Sequence, residues 1–186
     1  MAEAVKVAVR VRPFNKREIE RNAKLIINIE MFLYSCSELE DYYIKNLQGN
    51  RKIQKKVQKR LMDGNQTTIA DPENLSAEPK KFSFDYSYWS HDGYKEEADG
   101  YLSPSDQKYA DQKKVFKDIG LSVLENSWAG YNCSLFAYGQ TGSGKSYSVV
   151  GYGNNKGIIP CYCDTLFKQI AEKENSPDYR VFIKKI

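Results

Sequence analysis

Hydrophobic residues alternate strictly near the start of the chain. Over residues 5–12, Val5, Val7, Val9 and Val11 share one face, and Lys6, Ala8, Arg10 and Arg12 share the other. That is the period of a strand, and Pro13 stops it because proline cannot donate to a ladder. Residues 25–29 form a second short apolar run. Asp63, Gly64 and Asn65 signal a turn, after which residues 66–70 read as a strand returning to pair with 25–29. Another turn at Asp71, Pro72, Glu73 and Asn74 leads into residues 80–89, which alternate again. Phe82, Phe84, Tyr86 and Tyr88 share one face there, so the spacing predicts a half-buried strand with an aromatic core stripe. Residues 91–106 are rich in Gly, Asp, Ser and Pro and read as a surface loop.

The period then changes. From Asp111, the residues Val115, Phe116, Ile119, Val123, Leu124 and Trp128 recur at intervals of three and four, which predicts a helix that Gly130 caps. The apolar run 132–138 reads as a buried strand. A glycine-rich stretch follows, and Gly151 and Gly153 break the next helix. A helical pattern resumes over 158–171, with Ile159, Leu166, Phe167 and Ile170 apolar, and 179–186 reads as a strand. Strands alternating with helices predict an α/β sheet with helices against it. Residues 30–62 interrupt this order. Arg51, Lys52, Lys55, Lys56, Lys59 and Arg60 surround Ile53, Val57 and Leu61, a lightly amphipathic basic helix. A solvated or disordered insert is favoured there over a patch for an acidic surface.

The chemistry concentrates between the run 132–138 and the next helix. Residues 139–146 read Gly-Gln-Thr-Gly-Ser-Gly-Lys-Ser, which fits the phosphate-binding pattern G-x-x-x-x-G-K-[ST]. The backbone N–H groups of Gly139, Gln140, Thr141, Gly142, Ser143 and Gly144 are expected to form a concave anion nest. A helix starting there adds the positive end of its dipole. Lys145 reaches the outer phosphates as a point charge, and the Ser146 hydroxyl ligates Mg²⁺. Arg10 and Arg12 beside the first strand end are equally compatible with a solvated edge and with the frame of a nucleotide.

Composition narrows the setting. The 186 residues suffice for one domain with a real core, and 41% hydrophobic and 28% charged content are ordinary for a globular protein. A net charge of +4 names no partner. One histidine, His91, rules out a multi-histidine metal site and lends nothing to a Ser-His mechanism. Cys36, Cys133, Cys161 and Cys163 form no zinc pattern and read as reduced structural thiols. With no membrane-length apolar stretch and no signal peptide at Met1, residence in the cytosol is expected.

Several motifs together resemble the motor domain of kinesins. The phosphate loop follows Phe136, Ala137 and Tyr138; the first strand leads into Arg10, Arg12, Pro13, Phe14 and Asn15; and Gly157, Ile158, Ile159 and Pro160 extend the match. The run from Phe82 to Ser90 is similar to the third kinesin class, the vesicle and organelle carriers. The resemblance covers 4–29 and 63–186. It implies a P-loop NTPase-type central sheet flanked by helices, with 1–186 a partial motor domain and 30–62 an insertion within it. It also implies ATP and Mg²⁺ as ligands, microtubules as partner, and vesicle or organelle cargo held by a tail outside this chain. A cytoplasmic, microtubule-associated protein follows, with no nucleic-acid partner and no membrane insertion. Carried over by position, Arg10, Arg12 and Pro13 line the adenine, Tyr147 stacks on the base, and 139–146 hold the phosphates. Two departures matter. The family has a short hairpin where residues 30–62 lie. No Ser-Ser-Arg-Ser-His run and no Asp-Leu-Ala-Gly run occurs, so no catalytic residue is expected within these residues. The alternative expectation is a truncated, non-motor product with at most nucleotide binding. A small-molecule kinase is disfavoured by the aromatic run and the Arg-x-Arg-Pro motif.

Overall fold

The computed structural model describes residues 5–30, 65–71, 73–74 and 77–173. The expected basic helix of the insert and the expected strand 179–186 lie outside the described residues. The chain divides into two compact units, Met1–Asp92 and Gly93–Ile186.

In the first unit, β1 (Ala8–Val11) runs parallel to β5 (Tyr86–Trp89), with Val11 opposite Trp89. Val5 and Val7 lie before the ladder, which begins with Ala8 opposite Tyr86, and their side chains stay exposed. A second ladder is antiparallel: β2 (Ile27–Glu30) pairs with β3 (Gln66–Ile69), and β3 with β4 (Lys80–Ser83). The return of 66–70 onto 25–29 is therefore as expected. Val11, Ile29 and Trp89 form the buried core, with Ile27 against it.

The single aromatic strand expected over 80–89 is instead two. β4 is exposed throughout, and Phe82 lies on the surface, whereas Ser87, Tyr88 and Trp89 are buried. The break comes from Asp85. Its carboxylate accepts the Val7 N–H at 2.7 Å, and its own N–H donates to the Val7 carbonyl at 3.0 Å. Asn65 also donates to the Asp85 carbonyl. These bonds pull the chain off β3 and onto β1, so the period-2 register restarts at Tyr86.

In the second unit, residues 91–106, expected as a surface loop, hold a hairpin, β6 (Tyr94–Glu96) against β7 (Leu102–Pro104). Its turn is closed by Gly100 N–H to the Glu97 carbonyl at 2.9 Å and by Asp99, whose carboxylate accepts the Tyr101 N–H at 2.9 Å. An Asp-Gly pair is a hairpin signal in its own right.

The expected helix then forms. α2 comprises Gln112–Val115, a π turn over Phe116–Gly120, and Leu121–Trp128. Asp111 caps its start by accepting the Lys114 N–H at 2.7 Å. At its end, Gly130 N–H donates to Ser127 and Tyr131 N–H to Asn126, both at 3.0 Å, the paired bonds of a Schellman cap. The π turn is where the Phe116 ring lies against Gly120, a position with no side chain to obstruct it. α3 (Lys145–Val149) and a small hairpin, β8 (Gly151–Tyr152) with β9 (Asn155–Lys156), follow. α4 (Ile158–Lys173) packs on the π turn of α2. Trp128 Nε1 donates to Gln169 at 2.5 Å, and the Lys173 ammonium sits 4.1 Å from the Trp128 ring centre.

The run 132–138 is not a buried strand. It joins no ladder among the described residues, and every residue from Tyr131 to Tyr138 is exposed, Phe136 at 88%. Apolar composition gives a segment the means to be a strand, but pairing makes it one. In this unit the described strands pair as β6 with β7 and β8 with β9, which leaves 132–138 no partner.

Candidate nucleotide site

The loop 139–144 is curled. Gly139, Gly142 and Gly144 have φ of 143°, 81° and 93°, which a side chain would strain. Ser143 N–H donates to the Gln140 carbonyl at 3.1 Å and closes the turn. Gly144 is the N-cap of α3, and no side chain caps that end. The Ser143 hydroxyl is buried without a hydrogen-bond partner. A Cβ on Gly139 would lie 2.6 Å from that hydroxyl oxygen, so loop and side chain are already in close contact.

Lys145 folds back over its own loop. Its ammonium donates to the carbonyls of Gly139 at 2.6 Å and Gln140 at 2.8 Å. The side chain is therefore held at the mouth of the turn, bonded to its own loop. Ser146 is exposed. The expected helix behind the loop forms and ends before Gly151, with five residues. Its dipole is correspondingly small, so an anion here would rely on loop amides and Lys145. These residues fit a polyphosphate: an uncapped turn, an orphaned hydroxyl and one cation at its edge. For Mg²⁺ the candidate among the described residues is Ser146, since no group of three His, Cys, Asp or Glu comes together. That suits an ion that keeps most of its waters and takes few protein ligands.

Behind the loop lies a buried polar network that the sequence did not signal. Gln112 is 3% exposed, and its Nε2 donates to the Tyr147 carbonyl at 2.6 Å and to the Asn155 carbonyl at 3.1 Å. The Asn155 side chain in turn accepts the Leu102 N–H at 2.9 Å and donates to the Gly100 carbonyl at 2.8 Å. Tyr147, the expected base-stacking ring, lies against the Tyr152 ring with centres 6.1 Å apart. Tyr101 donates to Asp111 at 2.6 Å; burial, and then this bond, hold its phenol above the ordinary tyrosine range. Amphipathic pattern alone cannot find such partners, because Gln112 meets them 35 and 43 residues away.

Arg10, Arg12 and Pro13 lie in the first unit. Arg12 grips Glu18 with two bonds of 2.7 Å and also donates to the Pro13 carbonyl at 2.6 Å. Glu18 and Asn15 form a capping box on α1 (Lys16–Glu20), Asn15 accepting the Glu18 N–H at 2.9 Å and Glu18 accepting the Asn15 N–H at 2.8 Å. The Arg12 hydrogen bond, then the Asn15 N–H, hold the Glu18 carboxyl down at about 2. Glu18 raises Arg12 further in return. Arg10 Nε donates to Ser90 at 2.9 Å. His91 packs edge-on against Phe14 and Trp89 and bonds the Arg12 carbonyl at 3.1 Å, a structural place.

Comparison with known proteins agrees with the fold. The family model described as the kinesin motor domain matches residues 10–186. Rattus norvegicus kinesin-like protein KIF28 is 41% identical over 181 residues, which is 96% of this chain and 14% of that protein. Dictyostelium discoideum kinesin-related protein 1 is 40% identical over 188 residues, 96% of this chain and 6% of that protein. A solved KIF14 segment with ADP, in complex with a microtubule, superposes with a TM-score of 0.64 at 32% identity over 93% of this chain and 35% of that one. The chain thus spans a small part of the curated relatives it matches and about a third of that solved chain. The fold is the P-loop NTPase-type α/β fold of these neighbours. With the matched model running from Arg10 through the phosphate loop to the last residue, the chain belongs to the kinesin motor-domain family.

Proposed function

We propose that this chain is the nucleotide-binding part of a microtubule-based motor that couples ATP hydrolysis to movement. The observation that carries this reading is the curled turn 139–144, with three positive-φ glycines and Lys145 held across its mouth. In this reading the amides of Gly139, Gln140, Thr141, Gly142, Ser143 and Gly144 hold the phosphates. Lys145 leaves its own carbonyls to pair with the outer phosphates, exchanging two neutral acceptors for a charged one. Ser146 ligates Mg²⁺, which when bound neutralises charge on the phosphates. Tyr147 stacks on the base.

Arg10, Arg12 and Pro13 are assigned to the adenine by the motif alone. Residues 1–186 are taken as one partial motor domain with 30–62 inserted. Tubulin is the proposed track, the cytoskeleton the proposed location, and a vesicle or organelle the proposed cargo, as in the third kinesin class. Because the sequence holds no run matching the family's switch motifs, hydrolysis is assigned to the whole protein and nucleotide binding to this chain. The test is ATP turnover by the full-length protein with and without microtubules. Stimulation by microtubules is expected; equal turnover with and without them would contradict the motor assignment.

A further inference from the structure

We infer that Gln112 is a positioning residue for the base half of the nucleotide site, acting through Tyr147. This rests on the reading above, in which Tyr147 stacks on the base. Two independent contacts fix Tyr147. Its carbonyl accepts the Gln112 amide at 2.6 Å, and its ring is backed by Tyr152. Both supports converge on one hairpin, because Gln112 also holds the Asn155 carbonyl, and Tyr152 lies on the strand opposite Asn155.

The hairpin itself cannot slide. A Cβ on Gly157 would lie 2.5 Å from the Val149 carbonyl carbon, so backbone meets backbone where α3 ends. Asn155 further pins the hairpin to Gly100 and Leu102. Gln112 is thus the buried link that joins the start of α2, the residue after Ser146 and the hairpin. An amide is required: its nitrogen supplies two hydrogens for two carbonyls, which neither a carboxylate nor an apolar side chain of that length can do. The phosphate turn has a closing bond of its own, from the Ser143 N–H to the Gln140 carbonyl. The base and phosphate halves of the site therefore each have a support of their own.

The test uses two ligands that share phosphates and differ in the base, Mg-ATP and Mg-tripolyphosphate, bound to the full chain. Gln112→Met is expected to weaken ATP about tenfold, the size of one lost buried support, with tripolyphosphate unchanged. Tyr147→Ala should give the same split, and the double variant should lose no more than either alone. Should Gln112→Met fold poorly by thermal melt, Tyr152→Ala, at a side chain 67% exposed, reads the same split from the other support. Parallel weakening of both ligands, or no change in either, would overturn the role of Gln112 while leaving the phosphate-loop reading in place. Lys145→Ala separates the two: undiminished binding of both ligands there would overturn the phosphate-loop reading and this inference with it.

Discussion

The Lys145 ammonium lies 2.6 Å from the carbonyl oxygen of Gly139, at the opposite end of the phosphate loop. The loop is thereby tied end to end before any anion arrives. Gly139 has φ of 143°, and a Cβ there would press on the Ser143 hydroxyl at 2.6 Å. Gly139→Ala should strain the turn by about 1–3 kcal/mol and open this tie. Reduced affinity for a fluorescent ATP analogue, with a modest fall in melting temperature, is the expected outcome; wild-type affinity would show that the turn tolerates the change.

The Arg12–Glu18 pair makes a pH prediction. The Glu18 carboxyl is lowered from 4.5 to about 2, so it binds its proton less readily in the folded state than in the unfolded one. Its contribution is fully present above the unfolded value and is lost as pH falls through about 2. A carboxyl ¹³C NMR titration of Glu18 should show a midpoint near 2. A midpoint at the ordinary 4.5 would mean that the bidentate pair does not form in solution.

Aromatic residues in the first unit should separate by position. Trp89 is 4% exposed, and its Nε1 donates to Asp92 at 2.7 Å. Trp89→Ala should cost about 3–5 kcal/mol. Phe84, half-buried at the break between β4 and β5, should cost about 1–2 kcal/mol on truncation. Urea melts of the two variants check the order, and equal losses would restore the single aromatic stripe.

Thiol labelling probes the exposed run 132–138. Cys133 is exposed, whereas burial and then Asp164 push the Cys161 thiol up, against a smaller opposing effect of Lys156. A maleimide should modify Cys133 within the time in which Cys161 stays largely intact. Slow modification of Cys133 would mean that the run is covered after all.

The contrast between what the sequence disclosed and what it hid is physical. The helix from Asp111 to Gly130 and the phosphate turn are local patterns, and the return of 66–70 onto 25–29 was marked by two short apolar runs and a turn signal between them; each emerged as expected. The break at Asp85 escaped because alternation continues through it; the cause is Val7, 78 residues away. Residues 132–138 looked like a strand because composition records burial potential and not the partner that realises it. The hairpin at 94–104 was hidden by its own polarity, although Asp99 and Gly100 marked its turn. Gln112 carried no signal at all, since its partners are backbone carbonyls whose identity no side chain encodes.

The most direct measurement is equilibrium binding of Mg-ATP to the chain and to Lys145→Ala, read with a fluorescent analogue and unlabelled competitor. Saturable binding that ATP displaces and that the substitution abolishes, at a nearly unchanged melting temperature, is the predicted result. Equal affinity in both proteins would contradict a phosphate site closed by Lys145.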